Sequence, residues 1–338
     1  MRYPYLLLGI LIIAHLSGSL AENTFSQYWK EHIDLPQPPY WFIAKVSPLN
    51  PHQVSMFMKL MEENKLASHL PSFCKQANVA CSTNALTTLP PKVHWTDGIL
   101  KYELPIPSEN PLWVASQGGL PYFRESMVKE GGFMDVPDLR DPMSYKSFLP
   151  RSLASKIPFS SARIKELKKL FGVVDESNMD EYIQDTLQIC EKNPIRGEQC
   201  TCVTSAEDLI DFIVEKLGHH VRVWSTENAE GSHENVTIGA VKLIYGNLFE
   251  PPALCHSKPL SFQVYYCHVL QKVKIYAVDI HAQKKLNHAI MACHYDTSNW
   301  NQNHLAFMLL GFGPGLIEVC HWISENGVVW TKNQGGDT

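Results

Sequence analysis

The chain has 338 residues, 45% hydrophobic and 19% charged, long enough to bury one large core or two modest ones. Twenty-nine Lys and Arg against 34 Asp and Glu give a net charge of −5 without any run of five or six like charges, so the electrostatic footprint of a nucleic-acid binder is missing. With 19 Gly and 22 Pro, collagen-like and low-complexity readings also fail.

In chain order, Arg2 precedes an apolar stretch from Leu6 to Leu16, followed by the small residues Ser17, Gly18, Ser19 and Ala21. This is the pattern of a secretory signal peptide over residues 1–21, cleaved after Ala21. The stretch is shorter than the roughly 20 residues a bilayer span needs, and His15 interrupts it. No second apolar run of spanning length follows, so the expected mature chain is secreted and carries no membrane segment. Asn235-Val236-Thr237 then becomes a usable glycosylation sequon at Asn235.

Val54, Phe57, Met58 and Met61 fall at three-and-four spacing and predict a helix over 54–66. Residues 83–121 are rich in Pro, Ser, Thr and Gly without a period and read as a linker between an N-terminal segment, 22–82, and a larger domain, 122–332. Three helices are predicted next. One is capped by Ser161 and runs to about Phe171, one covers Met179 to Cys190, and one opens at Ser205 and closes at Gly218. From His220 onward, β-branched and aromatic residues dominate 221–224, 236–245, 262–269, 273–280, 289–294 and 317–323, which predicts strands. Helices first and strands afterwards predict an α+β protein, helical in its first part and β-rich and disulfide-bonded in its C-terminal part.

Nine cysteines in a secreted chain imply disulfides, with one thiol left over. Four of them are each followed by histidine: Cys255-His256, Cys267-His268, Cys293-His294 and Cys320-His321. Successive side chains of a strand point to opposite faces, so such a dipeptide cannot easily offer both groups to one ion. Four of them in adjacent strands predict sulfurs bridged on one face and an imidazole cluster on the other. A lone histidine is more often a hydrogen-bonded core residue than a ligand, but four in one repeated context favour ligation. Imidazole donors suit copper, zinc, nickel or iron, with copper(II) first in affinity. Paired-cysteine zinc spacings are absent, and cysteines consumed in disulfides supply no thiolates. Copper is therefore the expected cofactor.

The spacing of the four Cys-His pairs, with ten, 24 and 25 residues between them, resembles the signature of the plant BURP domain, whose middle gap is usually longer. The shortening falls within His281 to His288 and reads as a shorter hairpin. The resemblance extends to Tyr122-Phe123-Arg124-Glu125, Phe148-Leu149-Pro150-Arg151, Pro158-Phe159-Ser160, Asp296-Thr297-Ser298, Trp300, Gly313-Pro314-Gly315 and Glu318-Val319-Cys320-His321-Trp322. Tyr28-Trp29, residues 44–49, and Leu70-Pro71-Ser72-Phe73-Cys74 with Cys81 resemble the N-terminal segment of the family's non-catalytic polygalacturonase beta subunits. The long F-x-x-Y repeat array of those proteins is replaced here by the short 83–121 stretch.

The resemblance implies one of two roles. In the first, the protein is a cell-wall or apoplast component that associates with polygalacturonase or with pectin and hydrolyses nothing. In the second, it is a copper-dependent peptide cyclase that crosslinks Tyr or Trp side chains in its own N-terminal region. The implied copper ligands are His256, His268, His294 and His321, with His304 a further candidate. Gln37-Pro38-Pro39-Tyr40-Trp41 is the nearest text to a cyclase core, although its aromatics are expected to pack against the following helix. No family motif supplies the paired carboxylates of a glycosidase, and Asp296 reads as a capping residue or a partner to the site. Lys272, Lys274, Lys284 and Lys285 read as solvated charges before they read as contacts to polyuronate. For the disulfides, Cys74 with Cys81 and Cys190 with Cys202 are plausible local bridges, and Cys255, Cys267, Cys293 and Cys320 would form two more. Cys200 and Cys202 would face the same side of an extended segment, so either is a possible partner.

Overall fold

The computed structural model describes residues 24–81, 95–96, 99–100, 121–140, 146–227, 235–282 and 285–333. The expected signal peptide, most of the expected linker and the side chain of Asn235 lie outside them. The described residues are α+β. Helices α1 (24–32), α2 (Tyr40–Ile43), α3 (Pro51–Glu62) and α4 (Leu70–Ala77) come first. A two-stranded ladder, β1 (Trp95–Thr96) with β2 (Ile99–Leu100), and the short strand β3 (Phe133–Asp135) follow. Then come α5 (Arg151–Ala154), α6 (Ile164–Phe171), α7 (Asn178–Cys190), β4 (Gln199–Val203) and α8 (Ala206–Leu217). The remainder is strands β5 (Val221–Trp224), β6 (Asn235–Tyr245), β7 (Ala253–Lys258), β8 (Val264–Val269), β9 (Val273–Ala282), β10 (Lys285–His294), β11 (Val319–Ile323) and β12 (Val328–Lys332). One helix, α9 (Leu305–Leu310), interrupts them.

Local chemistry sets the helix ends. Asn50 accepts from the Gln53 amide while the Gln53 side chain accepts from the Asn50 amide, closing a capping box over α3. Ser177 and Ser205 cap α7 and α8 through the Asp180 and Asp208 amides. Gly172, at φ 66°, ends α6 in the left-handed conformation that costs glycine nothing. The predicted helix capped by Ser161 begins instead as a 3-10 turn over Ser161–Arg163, capped by Ser160.

Two five-stranded antiparallel sheets carry the rest, in the orders β11-β10-β9-β6-β3 and β4-β8-β7-β12-β5. They pack face to face over Tyr245, Leu254, Val273, Ile275, Ile290, Ala292, Ile323 and Val329, as a sandwich core does. The outer face of the second sheet is covered by α1, α2 and α8, which bury Trp29, Phe42, Leu209 and Ile213 against Tyr265 and Trp330. On the outer face of the first sheet, Phe123, Met134, Val136 and Leu139 pack over Val278, Ile280 and Met291. A further cluster joins α3 and α4 to α6 and α7 through Phe57, Phe73, Leu167, Phe171 and Ile183. Disulfide Cys190–Cys202 ties α7 to β4, Cys74–Cys81 closes the end of α4, Cys255–Cys267 and Cys293–Cys320 each join neighbouring strands of one sheet, and Cys200 lies outside these bridges. No helix among the described residues is long and apolar enough to cross a membrane.

Candidate metal centre

The centre follows from strand register. In the second sheet, Cys255 of β7 stands directly opposite Cys267 of β8 and bridges to it. The residue after each cysteine points to the other face. His256, opposite Tyr266, and His268, opposite Leu254, are therefore diagonal neighbours on the inner face, with Nε2 atoms 3.2 Å apart. The first sheet repeats the arrangement. Cys293 of β10 faces and bridges Cys320 of β11, and His294 and His321 meet on the inner face with Nε2 atoms again 3.2 Å apart. The four dipeptides thus lie two in each of two sheets, not in four adjacent strands. Chain order alone hides this, because β12 separates β7 from β5 and β9 separates β10 from β6. Each bridge faces an outer core and each imidazole pair faces the interlayer, where the pairs meet. The ring centroids of His256 and His321 are 5.6 Å apart and those of His268 and His294 are 6.3 Å apart.

Burial favours the neutral form of three of the rings. His294 and His321 are 3% and 8% exposed. Burial, reinforced by the neighbouring imidazoles, pulls His256 and His294 well below the ordinary imidazole range. His321 falls to about 4 through burial, against the opposing effect of its hydrogen bond to the Trp322 carbonyl. The δ nitrogens identify the tautomers. His268 Nδ1 lies 3.0 Å from Glu198 Oε1, and His321 Nδ1 lies 3.1 Å from the Trp322 carbonyl oxygen. Both partners accept, so each Nδ1 carries the proton and each Nε2 presents a lone pair to its neighbour. Burial pushes the Glu198 carboxyl up, but the His268 ring, the Ile195 amide and the Tyr266 hydroxyl outweigh it and hold Glu198 below the usual carboxylate range.

This donor set suits a copper or zinc ion in kind, since both take neutral imidazoles. Metal–nitrogen bonds of about 2.0–2.1 Å place neighbouring ligand nitrogens about 2.8 to 3.4 Å apart in square-planar or tetrahedral shells, and each pair falls in that range. The fit is pairwise. Among the described residues no group of three or more His, Cys, Asp or Glu side chains is arranged to hold an ion.

His304 sits beside the cluster rather than within it. Its Nδ1 accepts the Ala306 amide as the cap of α9, which leaves the proton of its neutral ring on Nε2. Its ring packs against Tyr122 and Trp300, at centroid separations of 5.2 and 4.7 Å. These two aromatics reach the cluster in turn, Trp300 at 5.2 Å from His294 and Tyr122 at 6.4 Å from His321. Asp296 is a turn residue, accepting from the amide and hydroxyl of Ser298 and pairing with Lys272, whose hydrogen bond brings the Asp296 carboxyl down to about 2. Lys274 stands over the Tyr295 ring, Lys284 lies outside the described residues, and only the backbone of Lys285 is described. The expectation that Tyr40 packs inward is corrected: Phe42 is buried and Trp41 packs on the α1 and α2 core, but Tyr40 is 87% exposed, because a helix of four residues can bury only one side.

The segments 122–125 and 318–322 meet one another beside the bridged face of the first sheet. Phe123 exchanges backbone hydrogen bonds with Cys320, Arg124 forms a two-pronged pair with Glu318, and Glu125 accepts the hydroxyls of Tyr276 and Tyr295. Residues 121–332 match the BURP domain. The chain belongs to the BURP domain family. It is similar to "Polygalacturonase-1 non-catalytic subunit beta" of Solanum lycopersicum, 48% identical over 212 residues that cover 62% of this chain and 34% of that protein. "Polygalacturonase 1 beta-like protein 1" of Arabidopsis thaliana is 47% identical over the same shares. "BURP domain-containing protein 16" of Oryza sativa subsp. japonica is 34% identical over 320 residues, covering 92% of this chain and 89% of its own. The chain thus spans about a third of the length of the polygalacturonase-named relatives and nearly all of the rice protein's. Sequence reasoning reached the histidines of this BURP domain through their repetition but missed Glu198 and Tyr266. Glu198 is 70 residues from the ring it contacts, and no local pattern marks it.

Proposed function

We propose that this BURP protein is a secreted component of the cell wall or apoplast that associates with polygalacturonase or pectin without hydrolysing it, and that it carries copper on His256, His268, His294 and His321. The observation that carries the reading is the meeting of two imidazole pairs, one buried and one partly buried, each backed by a disulfide on the far face of its sheet. Similarity to a chain named as a non-catalytic polygalacturonase subunit supports the partner. The four bridges and the apolar N-terminal stretch support secretion, with glycosylation at Asn235 as a consequence of export. Bound copper would supply one-electron chemistry. The chain's own residues bury His294 and His321, fix the tautomers of His268 and His321, and place Trp300 and Tyr122 against the cluster.

The test is metal analysis of the secreted full chain together with H268A and H294A. Copper bound by the parent and lost in both variants is expected; a parent without copper at saturating supply sinks the metal reading. Co-purification with polygalacturonase from wall extracts tests the partner, and its failure in both salt-extracted and native fractions sinks that assignment. A second reading, a peptide cyclase acting on its own N-terminal region, is favoured by the exposed Tyr40 ring beside Trp41. Loss of two hydrogens from the intact mass on incubation with copper and oxygen, mapped to residues 37–41, would select it over the first.

A further inference from the structure

Resting on the metal reading above, we infer that Glu198 is a positioning residue of this centre: its carboxylate, held by Tyr266, fixes the ring and tautomer of His268 and so sets how tightly the site holds its ion. Glu198 Oε1 lies 3.0 Å from His268 Nδ1 and 3.0 Å from the Tyr266 hydroxyl, while Oε2 accepts the Ile195 amide at 3.1 Å. The contact is enclosed, with the Glu198 and His268 side chains 9% and 12% exposed. A carboxylate in such a place can only accept, so the Nδ1 proton of His268 is locked toward it and the Nε2 lone pair is locked toward His256. A negative charge behind the ring also raises the basicity of Nε2 toward a cation.

The centre is therefore asymmetric. Its second supported ring, His321, leans on a neutral carbonyl, and among the described residues His268 is the ring of the four that hydrogen-bonds to a carboxylate. The support joins two parts of the chain: Glu198 lies in the turn just before the edge strand β4, and Tyr266 and His268 lie on one face of the adjoining β8. Tyr266 also stands opposite His256 in the ladder, so a single hydroxyl-carboxylate unit lies beside both rings of this pair. A purely structural alternative would have Glu198 merely tie the 195–198 turn to the sheet, and the two roles differ in measurable ways.

The test uses the full secreted chain with E198Q, E198L and Y266F, titrated with copper(II) against a competing chelator. E198L is expected to lose about 10- to 100-fold in affinity, as removal of such partners does elsewhere. E198Q keeps an acceptor oxygen and loses the charge, so it should fall between E198L and the parent, with Y266F only a few-fold weaker. Nitrogen NMR of the metal-free chain should find His268 in the Nδ1-protonated tautomer in the parent and in mixed tautomers in E198L. Should E198L fail to fold, E198Q and Y266F decide the matter. Folded E198Q and Y266F that bind copper as tightly as the parent overturn the role of Glu198 and leave the metal reading standing. A parent that binds no copper overturns both.

Discussion

At the scale of single residues, buried charge is tolerated only where hydrogen bonds surround it. Asp180, 4% exposed at the start of α7, receives Lys168 Nζ at 2.9 Å, the Glu176 amide at 2.9 Å and the Gln184 side chain at 3.0 Å. Burial pushes its carboxyl up, but these donors together hold it below the usual carboxylate range. A depressed folded pKa stabilises the fold at every pH above the unfolded carboxylate value, about 3.9, and that contribution is lost as the pH falls through the folded value. Asp180→Asn should therefore cost about 1–3 kcal/mol at neutral pH, the penalty of leaving buried donors poorly paired. The gap between parent and variant in denaturant unfolding should stay constant from pH 7 to about pH 5 and narrow below about pH 4. A gap that widens in acid would show that Asp180 is not ionised in the fold.

At the scale of elements, the two half-centres differ in how their strands are tied. Cys255 and Cys267 close a separation of 12 residues across one hairpin, whereas Cys293 and Cys320 close 27 residues, with α9 between them. Loop-closure entropy gives about 3 kcal/mol for the shorter bridge and about 3.5 kcal/mol for the longer. The pair C293A/C320A should therefore unfold at lower urea than C255A/C267A in the metal-free chain, and equal midpoints would argue against an entropic origin. Helix α8 was legible because Ser205 and Gly218 punctuate it, and α7 was legible over Met179 to Cys190, although its cap, Ser177, was not read from the sequence. Strands β8 to β11 were legible from their β-branched and aromatic runs. Strand β7 was not, since Pro251 and Pro252 precede it and His256, Ser257 and Lys258 break its alternation, and β4 was hidden by Cys200, Thr201 and Cys202. Sheet membership is the deeper loss. Pairing partners such as β3 with β6, or β5 with β12, are distant in sequence, so local pattern gave the imidazole repeat but not its division between two sheets.

At the scale of the whole molecule, the N-terminal segment expected over 22–82 and the BURP domain share their cores. Trp29 of α1 is fully buried, with its ring 5.9 Å from both Trp330 of β12 and Phe42 of α2. Phe73 of α4 packs beside Phe171 of α6 at 6.5 Å, and Phe171 stacks on Phe262 at 5.6 Å. Backbone bonds cross the same boundary, from the Phe148 amide to the Lys45 carbonyl and from the Ala80 amide to the Ser261 carbonyl. Apolar surface buried on both sides of a boundary couples the two sides into one unfolding unit. Trp29→Ala should cost about 3–5 kcal/mol, the range for emptying a large aromatic site, and should lower the single transition rather than detach a separate one. A chain lacking residues 22–82 would uncover the part of the second sheet's outer face that α1 and α2 bury, Trp330 included, and leave only α8 over it, an exposed apolar patch that favours aggregation or dye binding. Circular dichroism and tryptophan fluorescence should report one coincident transition in the parent. A truncated chain that unfolds cooperatively at the parent's midpoint, or a Trp29→Ala change below about 1 kcal/mol, would instead establish the BURP domain as an independent unit that merely carries its N-terminal helices.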